Sequence, residues 1–95
     1  MEKTYIVITA KDNKYSMQSY SDFVGAWSGV NRMTDKQEGN DGMLEREYFG
    51  SRCEDKIAKQ RTTLIPFFGE VLYGIEATNC RGEKTYRVVY ELDVL

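Results

Sequence analysis

The stretch TDKQEGNDGMLERE, residues 34–47, gathers Asp35, Glu38, Asp41, Glu45 and Glu47, with Gly39 and Gly42 between them. Clustered carboxylates can ligate a hard cation, share a proton for acid–base catalysis, or present charge to a partner. An EF-hand calcium loop needs oxygen ligands at alternate positions, glycine at the sixth and a bidentate glutamate at the twelfth. Counted from Asp35, the sixth position is Asn40 and the twelfth is Arg46, so the register fails. Glu45 and Glu47 would share one face of a strand, the spacing at which two carboxylates can share a proton. Flanking Arg46, they read instead as solvated charges that discourage edge-to-edge aggregation.

The chain has no histidine, which removes Ser-His-Asp and Cys-His catalysis. Cys53 and Cys80 are its only thiols, and no CxxC pair is present, so a zinc site would need carboxylates in unusual numbers. GxxxxGK[ST] and GxGxxG phosphate cradles are absent as well. We expect no catalytic residue, no metal and no cofactor. Two cysteines in a domain of this size are read as reduced, buried thiols rather than a disulfide framework.

Basic residues form a second constellation. Arg52, Lys56 and Lys59 have helical spacing on one face, with Arg61 nearby and Tyr48 and Phe49 as stacking surfaces. Basic side chains interleaved with aromatics suit single-stranded nucleic acid. Glu54 and Asp55 interrupt that face, so a solvated helix is the plainer reading.

Thirteen basic and fifteen acidic residues leave a net charge of −2. Such a balance favours neither non-specific attraction to nucleic acid or membrane nor imitation of a DNA backbone. YIVITA is the only apolar run near the N-terminus, too short for a signal-peptide core or a membrane span. A cytoplasmic protein without membrane contact is the expectation, folded as one domain over residues 1–95.

These side chains must be positioned by elements, and the clearest are at the C-terminal end. In EVLYGIEATN, Val71, Tyr73, Ile75 and Ala77 alternate with other residues; in KTYRVVYELDVL, so do Tyr86, Val88, Tyr90, Leu92 and Val94. Period-two patterning predicts a hairpin closed by NCRGE. Matching apolar to apolar sets Ile75 opposite Val88, Tyr73 opposite Tyr90 and Glu76 opposite Arg87. TYIVITA is apolar on both faces and predicts an interior strand, with a return strand from Tyr15 to Gln18. MLEREYFG predicts an edge strand, with Leu44, Arg46 and Tyr48 on one side and Glu45, Glu47 and Phe49 on the other.

Tyr20, Phe23, Val24, Trp27 and Val30 recur at helical spacing and predict a helix over about 20–33 packed through Trp27. Ser19 with Asp22 has capping-box spacing, or Ser21 caps alone. A second, short helix is expected over about 52–60, and Pro66 makes TTLIPFFGE an edge strand or irregular crossing. The fold class is therefore α+β: an antiparallel sheet of four to five strands with one main helix on one face.

With the catalytic constellations removed, binding remains. Aromatic residues and arginine rimmed by charge are typical of protein interfaces. The expected partner surface is a loop from Asp35 to Gly42 (carrying Asp35, Glu38 and Asp41) with Arg46, Tyr48 and Phe49. Phe67, Phe68 and Leu72 fall where one face could lack cover. In size and composition the chain resembles the small accessory proteins of phages and mobile elements, which implies a non-catalytic protein that binds and regulates or inhibits another protein. Nucleic-acid binding through Arg52, Lys56, Lys59 and Arg61 is the alternative. A third is a small-molecule-binding or enzymatic domain with a pocket between sheet and helix.

Overall fold

The structure, a computed structural model, describes residues 3–42, 44–52 and 71–93. The expected helix over 52–60 beyond Arg52, and the Pro66 run with Phe67 and Phe68, lie outside them. Among the described residues the elements run β1 (Lys3–Lys11), β2 (Lys14–Tyr20), α1 (Phe23–Asp41), β3 (Glu45–Phe49), β4 (Val71–Thr78) and β5 (Lys84–Asp93). The strands form one antiparallel sheet in the order β2-β1-β5-β4-β3, with α1 packed on one face: the α+β class expected. No helix among the described residues is long and apolar enough to cross a membrane.

Strand β1 is interior, and Ile6, Val7 and Ile8 are buried on both sides of it. It turns into β2 through Asp12 and Asn13, both at positive φ (51° and 64°). Two such residues make the two-residue turn whose twist matches that of the strands it joins.

The β4–β5 hairpin forms one residue out of the expected register. Ile75 lies opposite Arg87, Gly74 opposite Val88 and Glu76 opposite Tyr86. Its turn sets this: the Asn79 side-chain oxygen accepts from the backbone N–H of Arg81 (2.9 Å) and Glu83 (3.0 Å), and Asn79 N–H donates to the Glu83 carbonyl (3.0 Å). Asparagine closing its own turn in this way is common. The shift is tolerated because apolar residues are buried on both faces of the sheet, so an alternating strand finds a core either way. Tyr73, Ile75 and Ala77 join Val7 and Val89 beneath α1, whereas Val88 and Tyr90 join Ile6, Ile8 and Phe49 on the other face. An irregularity between Val71 and Tyr73 returns Val71 to that second cluster.

Helix α1 is longer than expected, and its buried line differs. Asp22 is the N-cap, its carboxylate accepting from Gly25 N–H at 2.6 Å, so Ser19 and Ser21 do not cap it. The helix continues through Gly39 and stops at Gly42, which adopts φ 82°. Ala26, Val30 and Thr34 are fully buried, while Val24 is 69% and Trp27 45% exposed. The sheet explains the exchange of large for small. Its helix-facing surface carries Tyr5, Tyr20, Tyr48 and Tyr73, so the line that meets them has to be slim. Gly29 is the extreme case, since a Cβ there would collide with the Tyr20 hydroxyl.

Candidate protein-binding surface

The residues expected to form a partner-binding loop stand on regular structure instead. Asp35 and Glu38 occupy the last turns of α1, and Asp41 ends the helix. Arg46 and Tyr48 project from β3 on the helix-facing side, opposite Ala77 and Ile75. The Arg46 guanidinium donates to Asp35 (2.9 Å) and to Glu38, tying the edge strand to the helix end. It is held above the ordinary arginine value, first by its hydrogen bond to Tyr48 and then by Asp35, against the cost of partial burial.

An aromatic row continues from this clamp. Tyr48 and Tyr73 have ring centroids 6.3 Å apart, and Trp27 and Tyr73 are 6.2 Å apart. Asn31 fixes the row at the helix: its amide donates to the Trp27 carbonyl (2.8 Å), and its oxygen accepts from the Tyr73 hydroxyl (3.3 Å). Trp27 is nearly half exposed and, with Val24 one turn before it, forms an apolar surface of α1 beside the row. Sequence patterning assigned both to the core. The signal that separates them is the run of tyrosines on the strands, which leaves no room for a second set of large side chains.

Phe49 is not part of this surface. It points to the other face, is 4% exposed, and its ring lies against Gly74, where a Cβ would come within 2.5 Å. A buried phenylalanine anchors the strand; it offers nothing to a partner. Glu45 and Glu47 share its side of β3 and are exposed.

Beneath the last turns of α1 lies a buried polar group. Arg87 is 8% exposed and donates to Gln37 (3.0 Å) and Thr34 (3.4 Å), and Gln37 donates in turn to Thr85 (3.1 Å). Burial lowers its pKa from the ordinary arginine value, and its Nε has no hydrogen-bond partner. The apolar register expected on β5 placed this side chain opposite Glu76. Instead Glu76 pairs with Lys84 at 3.3 Å on the far face.

Of the basic set, Arg52 lies in the turn after β3, where it bonds Glu91 (3.2 Å) and stacks over the Phe23 ring at 5.0 Å. Lys56, Lys59 and Arg61 lie outside the described residues. Cys80 is exposed in the β4–β5 turn rather than buried, and Cys53 lies outside the described residues. A cavity of about 280 Å³ opens at the β1–β2 tip between Ala10, Asp12, Lys84 and Tyr86, away from the sheet–helix interface where a small-molecule site is expected.

No protein-family model, curated protein or solved structure matches this chain.

Proposed function

We propose that the protein binds another protein through the face shared by α1 and β3, and regulates or inhibits that partner without catalysis. The observation that carries this reading is the half-exposed Trp27 on the same face as the partly buried Tyr48 and the Arg46 clamped by Asp35 and Glu38, with the buried Tyr73 ring packed between Trp27 and Tyr48 as their support. Tryptophan, tyrosine and arginine are the side chains most enriched among binding hot spots, and a charged rim is their usual surround. The row is also stiff. Asn31 and the ion pairs hold its members before any partner arrives, which lowers the ordering cost of association.

Capture by the tagged full chain, followed by affinity measurement with the captured protein, tests this. Val24→Asp removes no buried contact, because Val24 is 69% exposed; Trp27→Ala removes the anchor. We expect unchanged melting for the first and a loss of affinity of about thirtyfold or more for the second, as for hot-spot truncations. A partner retained equally by both variants and by the native chain would place the interface elsewhere.

A further inference from the structure

We propose that β2 is a dimerisation edge, joining two copies of the chain antiparallel about Met17 so that their two sheets become one. Residues 14–19 are exposed on both faces of the strand, Met17 at 61%, and β2 ends the sheet among the described residues.

Register makes the edge self-complementary. The β1–β2 turn has two residues, so its closing pair Lys11–Lys14 is the hydrogen-bonded kind, and the pairs alternate from there without a break to Tyr5–Tyr20. Lys14, Ser16 and Gln18 therefore direct their backbone groups at β1, while Met17 and Ser19 direct theirs outwards. A two-fold axis at Met17 brings outward groups against outward groups, so Met17 of each copy exchanges both backbone hydrogen bonds with the other. The side chains agree with this. Met17 meets Met17 on one face, and Ser16 meets Gln18 on the other.

Nothing on the strand opposes the pairing. Edge strands are usually guarded by proline, a bulge or a charge at mid-strand. KYSMQSY has neither proline nor bulge, and its single charge, Lys14, falls opposite Tyr20 of the second copy. The two Lys14 side chains stand about 20 Å apart at that register, beyond the ~10 Å screening length of ordinary buffer. An interface one strand wide is small, so the dimer belongs to the weak, concentration-dependent class.

Sedimentation of the full chain over a concentration series reaching ~1 mM tests the proposal. The expected result is a monomer at low concentration passing to a dimer. Met17→Lys should weaken the dimer about tenfold or more by setting like charges opposite each other. Met17→Pro should do the same by removing an outward N–H that β1 does not use. Both should keep the native melting transition, and Val24→Asp on the proposed partner face should dimerise like the native chain. A monomer at every concentration, or a dimer indifferent to both Met17 variants, would overturn the proposal.

Discussion

The sheet has two edges among the described residues, built on opposite plans. Strand β3 is short and opens on three successive charges, Glu45, Arg46 and Glu47. Its inward side chains commit it heavily: Phe49 to the core on one face, Arg46 to the helix end on the other. Strand β2 is longer, carries one charge at its tip, and is exposed on both faces until Tyr20 tucks over Gly29. A self-pairing of β3 would set glutamate against glutamate or arginine against arginine about its first three residues, which like charges disfavour. The contrast teaches that one edge is guarded by charge and by side chains committed to the fold, while the other, exposed on both faces, carries neither guard among the described residues.

The sharpest way to break this contrast is to shorten an apolar side chain on each edge. Phe49→Ala should destabilise by about 3 kcal/mol, the scale for truncating a buried phenylalanine. Met17→Ala, at 61% exposure, should stay within about 0.5 kcal/mol. Urea midpoints with unchanged slopes measure both. Equal losses at the two sites would show that β2 carries as much of the monomer's stability as β3.

A smaller effect comes from the tie between β3 and the helix. Arg46→Ala should cost about 1 kcal/mol, since the guanidinium is only partly buried and its partners Asp35 and Glu38 are 65% and 44% exposed. The loss should be smaller in high salt, which screens the native pair. Faster amide exchange in the last turn of α1, with β2 unaffected, would assign the effect to this edge.

How far these differences could be read in advance depends on what each residue reports. Period-two patterning located β4 and β5, and the two-sided apolar run of TYIVITA placed β1 inside the sheet. Those features are local, and they survived. The hairpin register was missed because both faces bury apolar side chains, so matching apolar to apolar lost its power, and Asn79 decided instead. The last turns of α1 were missed because the apolar stripe ends at Val30 and the charged segment beyond it, with Gly39 and Gly42, reads as a loop. Asp35, Thr34 and Gln37 hold those turns by accepting from Arg46 and Arg87 on strands far along the chain. Trp27 was assigned inwards because helical spacing cannot tell which of two adjacent stripes meets the sheet; the tyrosines beneath decide that. For the candidate surface, Trp27 and Val24 were assigned to the core and Phe49 to the surface, and Asp35 and Glu38 were placed on a loop where a helix stands.

Protonating Glu91 should produce the mildest effect, and it separates the two edges chemically. Glu91 accepts from Lys3 (2.9 Å) and Tyr5 (3.0 Å) on β1 and from Arg52 (3.2 Å) just after β3. Lys3 and then Tyr5 hold its carboxyl below the ordinary value. A carboxyl lowered by folding contributes stability that is complete above its unfolded pKa and is lost as pH falls through the folded one. Lys3, raised chiefly by Glu91, contributes below its own unfolded pKa and loses that contribution as pH rises through the folded value. The contribution is therefore a plateau between the acid and alkaline limbs. Glu91→Gln should flatten the acid limb of a melting-temperature profile, and in acid the native chain should lose amide protection after β3, where Arg52 lets go, before it does so along β2. Protection lost first along β2 would mean that the open edge, not the clamped one, depends on this carboxylate.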